Sequence, residues 1–375
     1  MKLLGRLVLI LLCLVALLLV GIRLRYGGGD ANFEDRTSDP ELAVRALQVV
    51  ANLEFPPGNV AVSLDGRLFF TFHPEASPPV KVVEWVNGKP VPYPDADYQG
   101  EFQSVLSLRI DRQNRLWVLD NANHGTGEPR LIAFDLRTNE EVFRHDFPRE
   151  IAGPGSHLND FQVEPAGRRI YIADASILAK NPAIIVLDLE RGTSRRVLEG
   201  HPSVVPELYI PVVQGRKMVI FGLFAVRPGV DSIALDRRAE WLYFAPVTNN
   251  HLYRVHRRYL DDESLSAEGL AGHVEQFAIK TMSDGITTDL RGNVYLSDLE
   301  HSAILRLAPD GELHTVLKDP RIRWPDGLGF GPGGWLYVTC SALHEVIGKS
   351  ADHIRSQSPY QIFRFQPGAE GIPGH

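Results

Sequence analysis

Four oxygen-bearing side chains recur at one position of a repeating pattern. Asn159, Asp231, Asp284 and Asp326 each stand five residues before a turn anchor, which is Glu164, Asp236, Asp289 and Gly331 respectively. If the spacing aims all four at one axis, they repel one another unless a cation or a donor sits among them. Ca²⁺ accepts carboxylate and amide oxygens at flexible geometry, so the four are expected to contact a ligand and are candidate Ca²⁺ ligands. The competing reading is local. An Asp before a strand often caps a turn through its own backbone, and the Asp-Gly pairs at 284–285 and 326–327 favour that role. The first two repeats carry Gly58 and Leu106 at the same place.

A second group is not repeated, and unrepeated polar residues are where a specific ligand would be touched. It comprises His73, Asn121 and His124, Asn249 beside Asn250 and His251, His301, and His344. The plainer alternative for each is a solvated loop side chain. A third group, Asp120, Asp174 and Asp298, ends equivalent strands; repetition makes it architectural, each Asp expected to bond the backbone of the next unit. Nucleophile and phosphate motifs are missing: there is no G-x-S-x-G, no H-E-x-x-H and no Walker loop.

What would position these groups is a sixfold repeat. Residues 60–70, 108–118, 161–172, 233–244, 286–296 and 328–338 each read as apolar strand, tight turn, then a strand bearing an aromatic. The equivalent aromatics are Phe69, Trp117, Tyr171, Tyr243, Tyr295 and Tyr337, at the spacing of β-propeller blades. Most units continue into an outer strand pair, as at 131–136 with 141–145, 183–189 with 194–198, and 303–307 with 313–317. The last has one such strand, 360–365, while 47–53 is a strand without a blade. The expectation is an all-β, six-bladed propeller over 47–375, closed by its N-terminal strand so that no long edge is left unpaired. Residues just before each inner strand then share a channel mouth with residues just after each aromatic strand. The segment 343–359 breaks the rhythm and reads as a lid or a partner loop.

The chain's 375 residues exceed a single ordinary core, but a repeat makes each blade interface its own core. A formal charge of -7, with no basic stripe, argues against a nucleic-acid partner. Cys13 and Cys340 are the only cysteines and Cys13 lies in the N-terminal apolar run, so the propeller has no internal disulfide. Cys340 reads as a small apolar residue. Lys2 and Arg6 precede an uncharged run, 7–22, followed by Arg23 and Arg25. That is an export signal, somewhat short of the roughly 20 residues of a full span, which leaves open a cleaved signal or an anchor over 1–25. A polar linker, 26–46, follows. The expected location is secreted or periplasmic, with membrane contact only through the N-terminus; the missing disulfides and N-x-S/T sites fit a bacterial envelope.

Residues 104–120 and 129–136, then 170–176, 229–235, 241–246 and 324–330, resemble the major royal jelly protein/Yellow family over about 47–365. That resemblance implies a secreted six-bladed propeller; some insect members bind biogenic amines and some are linked to dopachrome conversion. The disulfide cysteines of the insect proteins are absent here. A more distant likeness is to gluconolactonase/senescence-marker propellers, whose metal site Asn159 and Asp284 match in position. Gly58 and Asn59 replace the family's first-blade Glu. The resulting expectation is a propeller binding a small polar or amine-like molecule at the channel mouth, with a tautomerase-type enzyme or metal-assisted lactonase as the alternative. A scaffold for protein partners stays open, since propellers present flat loop faces.

Overall fold

The computed structural model describes residues 2–29 and 33–374. Six four-stranded antiparallel sheets form the ring, and the first five run from an inner strand outward in chain order. The inner strands are Pro57–Val62, Val105–Ile110, Leu158–Val163, Val230–Leu235, Ile286–Thr288 and Pro325–Gly331. They pack against one another in cyclic order around the axis, the sixth against the first. The six repeat aromatics are all buried between blades.

The turn chemistry behind the repeat is visible in the anchors. Asp111 accepts from the amides of Gln113 and Arg115, both at 2.9 Å, and also from the Trp117 indole at 2.7 Å. Asp289 does the same for Arg291, Asn293 and the Tyr295 hydroxyl. One carboxylate thus closes the turn and pins the aromatic. The ring closes as expected: Gln48–Leu53 pairs with Tyr360–Phe365 and forms the outer strand of the last blade.

The strand-ending aspartates are architectural, but their partners differ from expectation. Asp120 accepts from Gln103 N and Ser104 N at 2.7 Å, and Asp174 from His157 N at 2.7 Å. Asp298 accepts from the Thr281 hydroxyl at 2.5 Å. All these donors precede the inner strand of the same blade. The reason is proximity: the end of the second strand lies beside the start of the first, closer than any neighbouring blade.

Two insertions cover one mouth. Residues 198–229 carry two small hairpins, Val212–Val213 with Arg216–Lys217 and Val219–Ile220 with Phe224–Ala225. Their buried Ile210, Val213, Met218 and Ala225 join one core cluster with Leu343, Val346 and Ile354 of the segment after the last aromatic strand. Arg216 locks the two insertions together, donating to the carbonyls of His344 and Ile347. The segment 343–359 is thus one half of a lid whose other half, 198–229, the repeat pattern did not announce. At the opposite mouth the C-terminal residues cross the ring: Gly374 O accepts from Ile110 N, Gly374 N donates to Phe330 O, and Leu290 N donates to Glu370 O.

Residues 2–26 form helix α1 (Lys2–Tyr26), of which Leu3–Tyr26 is long and apolar enough to cross a membrane. Residues 33–46 run along the propeller. Phe33 meets Tyr209 edge-on at 4.8 Å, Ser38 and Thr315 exchange hydrogen bonds, and Glu41 N and Leu42 N bond the outer strand of blade five.

Candidate functional site

Why the axis position is special becomes clear from the strand ladders. In five of the six blades the pairing of inner and second strands skips register, between Pro57 and Val60, Val105 and Ser107, Leu158 and Phe161, Val230 and Ser232, and Pro325 and Leu328. Bulges re-aim side chains and interrupt pairing. The skipped residues include Asn159, Asp231 and Asp326. In blade five the ladder begins only at Ile286, and Ser297 Oγ accepts the amides of Asp284 and Gly285 in its place. All four expected residues therefore line one cavity beneath the lid, together with His73. Its roof is apolar, with Pro211 and Val226 from the first insertion and Leu343 and Ile347 from the second.

The carboxylates are crowded. Asp231 and Asp284 are hydrogen-bonded to each other, and Asn159 donates its amide to Asp231. Burial, then repulsion from Asp284 and its neighbours, pushes the Asp231 and Asp326 carboxyls well above their ordinary range. Asp284 rises to about 6, driven by burial and opposed by the Trp324 indole, which donates to its Oδ2 at 2.6 Å. Deeper along the axis Asp160 is fully paired: Arg109 grips it with two bonds of 2.8 and 2.7 Å, and Ser107 adds one of 2.6 Å. No Lys or Arg lines the cavity itself.

One wall is a chain of imidazoles that the repeat rule did not single out in full. His157 Nδ1 lies 2.9 Å from His124 Nδ1 with the rings stacked, and His124 Nε2 is 3.5 Å from Glu75. His73 Nδ1 accepts from Glu75 N, which leaves its proton on Nε2, 3.8 Å from Asp326. Burial lowers His73 to about 4 and His157 to about 3, so both are neutral near pH 7. Glu75, bonded to His124, is held at about 2. His157 and Glu75 were missed, although each stands two residues from a residue singled out. Lys280 was missed as well. It is wholly buried, gives its protons to the carbonyls of Val247 and Thr281, and falls to about 7 through burial.

The remaining expected residues stand elsewhere. Asn121 and Asn249 cap local backbone with their side-chain oxygens, accepting from His124 N at 3.2 Å and His251 N at 2.8 Å. His301 is bound to Asp298 at 3.0 Å and faces Asp35, which ties the N-terminal stretch down. His344 is buried behind the cavity, parallel to Trp324 at 6.4 Å and 3.2 Å from Gln214. His124 belongs to the rim through His157. Among the described residues no three His, Cys, Asp or Glu are set to hold a metal, and the Asn159 amide and the Asp231 and Asp284 carboxyls are turned on one another. Cys340 is buried, and its thiol is pushed up by burial.

Comparison with known proteins agrees with this architecture. Solved structures of similar shape include a luciferin-regenerating enzyme (TM-score 0.56, 12% identity, covering 88% of this chain and 97% of that one). Another is the calcium-binding protein regucalcin from Agrobacterium tumefaciens (0.55, 16%, 87% and 96%). At such identities the likeness is one of fold. Among curated proteins, major royal jelly protein 3 of Apis mellifera is 26% identical over 229 residues, 57% of this chain and 40% of its own length. Protein yellow of Drosophila guanche is 30% identical over 94 residues, 21% of this chain and 16% of its own. The aligned part thus spans less than half of these relatives. The family model described as major royal jelly protein matches residues 103–355, well over half the sequence, and the chain belongs to that family.

Proposed function

We propose that this is an extracytoplasmic propeller that binds a small amine-bearing molecule in the chamber beneath the lid. The observation that supports it most is the charge balance: Asp231, Asp284 and Asp326 face one buried cavity whose lining contains no Lys or Arg. An ammonium group entering there relieves the mutual repulsion that raises these carboxyls. Trp324, already held by Asp284, offers an aromatic face to a catechol or indole ring.

Calorimetric titration of the full chain in detergent tests this with catechol- and indole-amines against their uncharged alcohol analogues. Amines are expected to bind and the alcohols not. Binding should strengthen from pH 5 to pH 8, because Asp284 loses its proton near 6 while an aliphatic amine, like lysine at about 10.4, keeps its own. Asp284→Asn should weaken binding roughly tenfold to a hundredfold, the worth of a charge-assisted bond of about 1.5–3 kcal/mol. Equal affinity for amine and alcohol, or no heat from either, rejects the reading.

A second reading rests on the same cavity. A carboxyl near 6 that lines one cavity with two neutral imidazoles can take a proton from one atom of a ligand and return it to another, which is tautomerase chemistry. Product formation that Asp284→Asn abolishes without loss of amine binding would favour it.

A further inference from the structure

The lid face carries two features that ligand binding does not use. First, α1 ends on the lid itself. Tyr26 stacks on Phe224 of the second hairpin, centroids 5.1 Å apart, and its hydroxyl donates to Leu178 O at 2.9 Å. Arg25 donates to Ala179 O at 3.1 Å, and Lys180 Nζ lies 5.4 Å from the Tyr26 ring and 5.5 Å from that of Phe224. Gly27 sits so close that a Cβ there would be 2.5 Å from Leu223 O. Leu178–Lys180 follows the second strand of blade three, so every one of these contacts is at the mouth end.

Second, that end presents large apolar side chains to solvent. Phe221, 83% exposed, is the most exposed large hydrophobe among the described residues and occupies the hairpin turn beside Phe224 at φ 50°. Turns favour Gly, Asn and Asp, so a Phe at a turn tip with nothing packed on it is an unusual choice. Leu208, 65% exposed, precedes the other hairpin, and Leu178 is 41% exposed beside Tyr26.

We propose that the lid face rests on the membrane that α1 crosses, with Phe221 and Leu208 set into the interfacial zone of the nearer leaflet. The 25-residue helix is about 37 Å long at 1.5 Å per residue, more than the roughly 30 Å hydrocarbon core, so its docked end emerges at headgroup level with little chain to spare. The Phe221 ring and the exposed leucines at that depth gain apolar contact that water denies them. The cavity then opens towards the bilayer surface. Its ligand arrives from the interface, which suits an amphiphilic amine with an apolar part to lie under the apolar roof.

The test uses the full chain in vesicles, in a Cys13→Ser background; Cys340 is buried and does not label. Phe221→Cys and Leu208→Cys each receive an environment-sensitive fluorophore. So does Leu64→Cys, a position 77% exposed in a turn at the opposite end of the ring. Emission at 221 and 208 is expected to shift to the blue and to be quenched by spin-labelled lipid, and that at 64 to do neither. Equal quenching at all three positions, quenching at none, or a chain recovered free of the vesicles with 221 in water overturns the proposal. Because no amine is added, its failure is separate from failure of the binding reading.

Discussion

Trp324 sets the charge balance of the chamber. Its indole is the first of three groups that keep Asp284 from rising further, with the hydrogen bond to Asp231 and the nearby Lys280 charge, against burial and the charge of Asp160. A carboxyl with a folded pKa above its unfolded one stabilises the fold at low pH, and that stability is lost as pH rises through the two values. For Asp284 the window runs from 3.8 to about 6. Trp324→Phe removes the donor and keeps most of the ring, so the pH midpoint of ligand binding should move upward and the melting temperature fall. The loss is about 1–3 kcal/mol, as for other buried acceptors left unpaired. A binding profile unchanged from that of the parent chain would show that the indole does not tune the site. Legibility at this scale follows from the same physics. Asn159, Asp231, Asp284 and Asp326 were readable because a position counted from the turn anchor recurs in each blade, whether a bulge or, at Asp284, the Ser297 hydroxyl interrupts the ladder there. His157 and Glu75 were not, because their meeting with His124 depends on loops with no repeat. Asn121 and Asn249 lie outside the cavity lining, their side-chain oxygens turned to local backbone amides.

Among the elements, the closing strand carries the most consequence. Gln48–Leu53 supplies the outer edge of the last blade, and Ala51 and Leu53 are buried in the cluster that also holds the lid. Deleting 47–53 exposes the edge of Tyr360–Phe365 and removes that packing. The expected product is aggregated or melts without cooperativity by calorimetry; a soluble, cooperative deletion would mean the ring is stable open. The blade strands were legible because the sequence of apolar strand, tight turn and aromatic-bearing strand repeats six times. The lid's first half was not. Its hairpins have two-residue strands with half-exposed side chains, and they gain order from contacts distant in sequence, among them Arg216 and the burial of Met218 and Val213 against the other insertion.

At the scale of the whole molecule, the two ends of the ring are unlike. One is roofed by the lid. The other is crossed by the C-terminal residues, which bond blades two, five and six at once, through Ile110, Leu290 and Phe330. Gly371 lies so close to Phe330 that a Cβ would fall 2.1 Å from its Cδ2. Gly371→Val should therefore lift this tail at a cost of roughly 1–3 kcal/mol, the usual penalty for overpacking. Hydrogen exchange checks it: the amides of Ile110 and Leu290 should exchange faster, and those of the blade ladders at their former rates. Protection unchanged at both would show that the tail is not a rigid plug.

A ring stopped at one end is a cup and not a conduit. Whatever enters must leave by the same door, and the water it displaces has to pass it on the way out. Residence in such a vessel is governed by how often the cover shifts. The second insertion that Arg216 clasps would then act less as a wall than as a clock.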